Sequence, residues 1–287
     1  MINGFKKEFM FFSRGGRLAA VIIVMVALAL MSPVMFGFTS QMMQVMKDAM
    51  PDESYSQLAD EFSSFSASDI VMYNIEYIAG IGSIVLLFIF KSAAGGEQKK
   101  RSVIIPQCAG LTAERYALPK FIIYPVSVFV VTIISVMAGA GAATLIFPGG
   151  LDWNMVWLSA VCAGVYLAFS TAVQFCIGIC VGRSNVAVAA VIIMQMTLPT
   201  ILGFFRVDRF NPFALNSISL AAARKSGESG SVLLSSLESV SQSDDVTALN
   251  VIVSLGTALV ISGLLYFVTV FALHTQEVNN EGNEPVL

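Results

Sequence analysis

Six apolar runs, at approximately 18–38, 70–90, 121–147, 153–181, 185–205 and 248–272, dominate this chain. Each is long enough to cross about 30 Å of hydrocarbon as a helix. In lipid, only helices or closed barrels satisfy every backbone donor and acceptor. The runs lack period-two alternation, and each is about twice the length of a barrel strand. The expected fold is therefore an all-α membrane protein, a bundle of six transmembrane helices. Composition agrees: 12% of the 287 residues are charged and 56% are hydrophobic, against roughly 25% charged in a soluble domain.

Ahead of the first run, Ile2, Phe5, Phe9 and Phe12 recur at helical spacing, with Lys6, Lys7 and Glu8 displaced to the other side. Residues 2–13 are expected to form an amphipathic helix lying in the membrane interface, apolar face down. The run that follows is too long for a signal-peptide core, and no small-residue cleavage site precedes a soluble domain, so no cleavable signal peptide is expected. Orientation follows from the basic residues. The N-terminus, the 91–120 loop and the 182–184 turn hold eleven Lys and Arg; the opposite loops hold five, namely Lys47, Arg206, Arg209, Arg224 and Lys225. The positive-inside rule places both termini in the cytoplasm, as an even number of spans requires.

Two segments on the outer side are more than connectors. Residues 39–69 interleave Asp48, Asp52, Glu53, Asp60, Glu61 and Asp69 with Met42, Met43, Met46, Leu58, Phe62 and Phe65. One or two short amphipathic helices on the outer surface are expected there. Within 206–247, Asn211 is placed to cap a helix and Pro212 to open it, with an end near Arg224. A second short helix is expected near 231–240.

Polar residues inside the spans are the candidates for function. Glu76 is a carboxylate about two turns inside the second run, where an ionisable group is expensive. It lines a substrate route or makes a structural hydrogen bond near the outer interface. Tyr166, Ser170 and Gln174 recur every four residues along the fourth run, and Gly178 and Gly182 continue that face. Close helix packing and a pathway lining both fit such a stripe. Gln195 and Thr197 are weaker instances in the fifth run. Pro33 and Pro199 are expected to kink their helices.

Catalytic signatures are missing. No GxxxxGK[ST] phosphate loop, GxSxG or HExxH occurs in the sequence, so neither nucleotide hydrolysis nor a serine or zinc protease site is expected, and the chain is not read as an enzyme. The single histidine, His274, falls at the end of the last run. Cys108, Cys162, Cys176 and Cys180 show no metal-ligand spacing and read as small apolar residues. No metal site is expected. The basic residues flank apolar runs and do not form one face, so no nucleic-acid partner is expected either.

The loop Lys91–Lys120, KSAAGGEQKKRSVIIPQCAGLTAERYALPK, carries six of the sixteen basic residues. Such a loop suits docking of a soluble partner, or anchoring to anionic lipid headgroups. It contains Gly96-Glu97, then Ser102-Val103-Ile104-Ile105-Pro106-Gln107, then Leu111-Thr112-Ala113-Glu114-Arg115 and Lys120. An acidic residue soon after the second span, a short helix, and an Arg-then-Lys pattern opening the third resemble the ABC-2 type permeases. These are membrane subunits of one class of ATP-binding-cassette exporters. The Asn211-Pro212 pair before the last span looks similar too. The likeness covers nearly the whole chain at the level of layout, and Cys108-Ala109-Gly110 departs from it.

That resemblance implies a single transmembrane domain over 1–287 in a bacterial plasma membrane. A second permease subunit, identical or related, would complete the pathway. A separate ATPase subunit, which holds ATP and Mg, would dock on Glu97, Ser102, Val103, Ile104, Ile105, Pro106, Gln107 and Arg115. No cofactor is implied in this chain, and the cargo would be a peptide, drug or lipid-like compound. Two other readings stay open. An ion-gradient-driven secondary transporter needs buried ionisable residues and an inverted repeat; only Glu76 qualifies, and the halves do not obviously mirror each other. A non-transporting scaffold or sensor would use the loop as an interaction site.

Overall fold

The computed structural model describes residues 2–49, 65–96, 112–205, 210–227 and 248–281. Among these the chain is all-helical. The first helix, α1, is Ile2–Arg14. Six helices long and apolar enough to cross a membrane follow: α2 (Arg17–Ala49), α3 (Ala67–Gly95), α4 (Ala113–Ile146), α5 (Trp153–Val181), α6 (Ser184–Phe204) and α8, whose spanning part is Leu249–Thr275. A shorter helix, α7 (Leu215–Lys225), precedes α8.

Local chemistry sets several ends. The Asp69 carboxylate accepts from the backbone N–H of Ser66 at 3.0 Å and from its hydroxyl at 2.8 Å, closing the first turn of α3. Asp152 accepts from the Asn154 N–H at 2.9 Å and caps α5. That helix stops at Gly182, whose φ of +66° is the left-handed value glycine adopts without a Cβ penalty. Inside α3, one wider π turn occupies Ile78–Gly82 and another, Ser92–Gly96, ends the helix.

Two boundaries differ from expectation. Residues 39–49 do not form a separate surface helix; they continue α2 to Ala49. Gln, Met, Lys and Ala are good helix formers, and no proline or glycine interrupts them after Gly37. The 33 residues of α2 are about 50 Å long, so the helix is longer than the hydrocarbon is thick. The third span likewise starts at Ala113, after an extended Thr112 at the cap position and with Glu114 in its first turn. Arg115 and Lys120 therefore belong to a helix and not to the loop. The helix expected near 231–240 and residues 50–64 lie outside the described residues.

The centre of the bundle is α5, 72% buried over its most apolar window, whereas α6 and α8 are 17% buried. It packs against α3, α4, α6, α7 and α8. Small residues permit this: a Cβ on Gly164 would come within 2.9 Å of the Phe129 ring of α4.

The segment before the last span also packs into the bundle. Asn211 accepts from the Phe213 N–H at 3.0 Å and Pro212 opens a 3₁₀ turn, as expected. The Phe213 ring is buried edge-on against Phe169, centroids 5.2 Å apart. Further along, the Ser159 hydroxyl donates to the Ser219 carbonyl at 2.7 Å and the Ser219 hydroxyl to the Ser159 carbonyl at 3.1 Å. The Asp152 N–H then donates to the Ser226 carbonyl at 2.8 Å. Residues 211–226 thus run antiparallel to α5. They start beside Phe169, about 25 Å along that helix from Asp152, and return to its end.

Candidate functional site

In the sequence, the basic loop joins the end of α3 to the start of α4. A buried charged cluster ties those two roots together. Lys120 of α4 is 0% exposed. Its Nζ lies 3.5 Å from the Glu8 carboxylate of α1 and donates to the Ala93 carbonyl, in the last turn of α3, at 3.3 Å. Tyr124, one turn further along α4, donates to Glu8 at 2.9 Å and accepts from the Arg17 guanidinium at 3.4 Å. Arg17 also donates to Ser92 at 2.8 Å. Four chain segments therefore meet: α1, the start of α2, the end of α3 and the start of α4.

Aromatic rings wall this cluster. Phe12, Phe90, Tyr124 and Phe175 are all fully buried. The Tyr124 centroid lies 4.9 Å from that of Phe12, 5.3 Å from Phe90 and 4.8 Å from Phe175. The Lys120 ammonium lies 4.9 Å from the centroid of the Tyr116 ring, and the Arg17 guanidinium 4.6 Å from that of Phe11. In this low-dielectric setting the attraction between Glu8 and the two cations is strong, and so is the penalty for removing one partner. These contacts join α1 and the two ends of the basic loop in one unit.

Beside the cluster, the end of α3 crosses α5 at backbone contact. A Cβ on Gly178 would stand 2.5 Å from the Ala94 carbonyl oxygen, and one on Gly95 would stand 2.8 Å from that of Gly178. The last turn of α3 therefore packs at backbone contact against the end of α5.

Of the sequence candidates, Glu97, Ser102, Val103, Ile104, Ile105, Pro106 and Gln107 lie outside the described residues. Arg115 is exposed on the first turn of α4. Glu76 is exposed on α3. Tyr166, Ser170 and Gln174 are buried on α5. Gln174 donates to the Leu87 carbonyl of α3 at 2.5 Å. Ser170 donates to the Tyr166 carbonyl at 2.9 Å and accepts from Gln195 of α6 at 3.0 Å. The stripe joins α5 to both neighbours, and Glu76 is not brought to it.

Sequence reasoning placed Lys120 at the edge of the loop and Glu8 on the polar side of α1, without pairing them. One signal was present: Glu8 is the only acidic residue in the first 47, among otherwise basic charges. Among the described residues no group of His, Cys, Asp and Glu is arranged to hold a metal ion. Comparison with protein-family models, curated proteins and solved structures found no match to this chain.

Proposed function

We propose that this chain is the permease subunit of an ATP-binding-cassette exporter, driven by a separate ATPase docked on its basic loop. The observation that carries the reading is the Glu8–Lys120 cluster at the roots of that loop. A loop that receives work from a partner needs stiff roots, or its movement dissipates locally. Here both roots are tied to each other and to α1 by buried charge-assisted contacts. Any displacement of residues 97–107 is passed to α3 and α4 together, and through Gly178 to α5.

In this reading both termini and the basic loop face the cytoplasm of a bacterial cell, as the Lys and Arg distribution favours. The helix α1 lies along the membrane interface. A second permease subunit completes the pathway. Hydrolysis of ATP on the partner supplies the work, and the cargo is a peptide, drug or lipid-like compound.

The test is co-purification in mild detergent with the products of the neighbouring genes, assayed for ATPase activity. An ATPase that is retained by the native chain and lost on Glu97→Arg or on scrambling of 102–107 supports the proposal. A chain that purifies alone, and behaves identically with the altered loop, overturns it. Gradient-driven flux without any ATPase would point to a secondary transporter instead.

A further inference from the structure

The spans α4, α5 and α8 do not close against one another along their whole length. Between them lies a groove of about 430 Å³, inside the range of about 300–1,000 Å³ that holds small ligands. Phe169 and Ala172 of α5 and Ala258 of α8 form its floor and are buried. Ile122 and Val126 of α4 and Leu259 of α8 stand exposed along its rims. Small side chains make the hollow. A Cβ on Gly263 of α8 would meet nothing within 4 Å, so this glycine does not serve the close helix contact that small residues usually make in membranes. Every lining side chain except Ser262 and Tyr266 is apolar.

Position and length select the occupant. The groove begins toward the basic-loop end of the bundle, at Leu118 in the second turn of α4. There the Phe121 and Tyr266 rings meet edge-on, centroids 5.8 Å apart. Along α4 the lining ends at Phe129, about 16 Å further on. That is close to half of the ~30 Å hydrocarbon thickness, the depth of one leaflet. A helix of a second subunit would pack along the whole span. A single acyl chain reaches only to the middle of the bilayer, where this groove stops.

Charge at the loop-side end names the headgroup. Glu114 and Arg115 lie four and three residues before Leu118, on the helix face that the groove continues, and both are exposed. Glu114 is close enough to Tyr266 for its charge to act on that hydroxyl. One anionic and one cationic group side by side match a headgroup with a phosphate and an ammonium. A purely anionic headgroup would oppose Glu114, and a choline would offer it no N–H donor.

We propose that the groove between α4, α5 and α8 holds one acyl chain of an ethanolamine phospholipid from the leaflet on the side of the basic loop. Its phosphate rests on Arg115 and its ammonium on Glu114. Hydrocarbon gains nothing by leaving other hydrocarbon, so the chain is held by fit in the groove and the lipid is chosen by the paired headgroup charges. The site is independent of any partner that docks on the loop.

The test is native mass spectrometry of the full-length protein, released from mild detergent after incubation with equal amounts of phosphatidylethanolamine, phosphatidylglycerol and phosphatidylcholine. The expected result is one phosphatidylethanolamine retained per chain, ahead of the other two lipids. Gly263→Phe fills the groove and is expected to lower that retention several-fold. Gly256→Phe is the control, since a Cβ there also meets nothing within 4 Å and Gly256 is not part of the lining. Arg115→Gln leaves the groove open and changes an exposed position, so it decides the matter even if Gly263→Phe does not fold. It too is expected to lower retention several-fold. No lipid on the native chain, or native-level retention in Gly263→Phe or Arg115→Gln, overturns the proposal. Equal retention of the three lipids, or phosphatidylglycerol ahead, overturns it in favour of unselective or anionic-lipid binding.

Discussion

Glu8 and Lys120 lie 3.5 Å apart, with their side chains 14% and 1% exposed, although 112 positions separate them in the chain. One belongs to the N-terminal helix and the other to the third span. Their contact closes a ring of segments around the roots of the basic loop, since Lys120 also bonds Ala93 at the end of α3.

Lys120→Met leaves the Glu8 carboxylate buried with, among the described residues, only Tyr124 as a close donor. The expected loss is about 3–5 kcal/mol, the usual penalty for stranding one member of a buried pair. Glu8→Gln/Lys120→Met, which removes both charges, is expected to recover much of it. Denaturant unfolding of the four proteins in a double-mutant cycle measures this, and an additive cycle would refute the coupling.

At the crossing of α3 and α5, Gly178→Ala places a methyl group 2.5 Å from the Ala94 carbonyl oxygen. Backbone must move, so a loss of about 1–3 kcal/mol is expected from overpacking. Gly263→Ala on α8 is the control, because a Cβ there meets nothing within 4 Å. Equal thermal stabilities of the two variants would contradict the close crossing.

Phe213→Ala should be among the more damaging single changes in the segment 210–227. It removes a buried ring from its edge-on contact with Phe169, at a cost of about 3–5 kcal/mol. Phe210→Ala, at an exposed ring three residues earlier, is expected to be nearly silent. Protease sensitivity of the segment 210–227, compared between the two, decides whether 211–226 is packed into the bundle.

Ser170→Ala removes the acceptor for Gln195, and Gln174→Leu the donor to Leu87. Hydrogen bonds between membrane helices contribute on average about 0.6 kcal/mol, so each variant is expected to be slightly less stable and to fold normally. A thiol introduced as Ser170→Cys is expected to resist water-borne reagents, since the position is 2% exposed. Rapid labelling would instead place the α5 stripe on an aqueous path.

Much of the architecture was legible from the chain. Among the described residues, the six apolar runs located each helix long and apolar enough to cross a membrane, and α5 and α6 were placed to within a residue. Asn211-Pro212 announced its cap because side-chain capping is a local event. Helix ends were less legible where polar helix formers continued an apolar run. Residues 39–49 and 113–120 have the composition of a surface segment, yet α2 continues through the first and α4 begins in the second, running on past Pro119.

The site was legible only in pieces. Tyr166, Ser170 and Gln174 each stood out as polar residues at apolar depth, whereas Lys120 read as the edge of the loop and Glu8 as one more charge on a polar face. Asn74 was overshadowed by its charged neighbour Glu76, yet it is Asn74 that is wholly buried and Glu76 that is exposed.

By itself, then, the sequence determined that this chain is helical, how many times it can cross a membrane, and where the crossings lie. These follow from backbone hydrogen bonding and hydrocarbon thickness, which act on one segment at a time. The tertiary structure alone decided that Glu8 meets Lys120, that 211–226 folds back along α5, and that Asn74 packs against Gly139. Every face of these spans is apolar enough for lipid, so hydropathy does not mark which face turns inward. That choice rests on close packing of small residues and on pairing of a few polar groups, and both exist only once the helices are in contact.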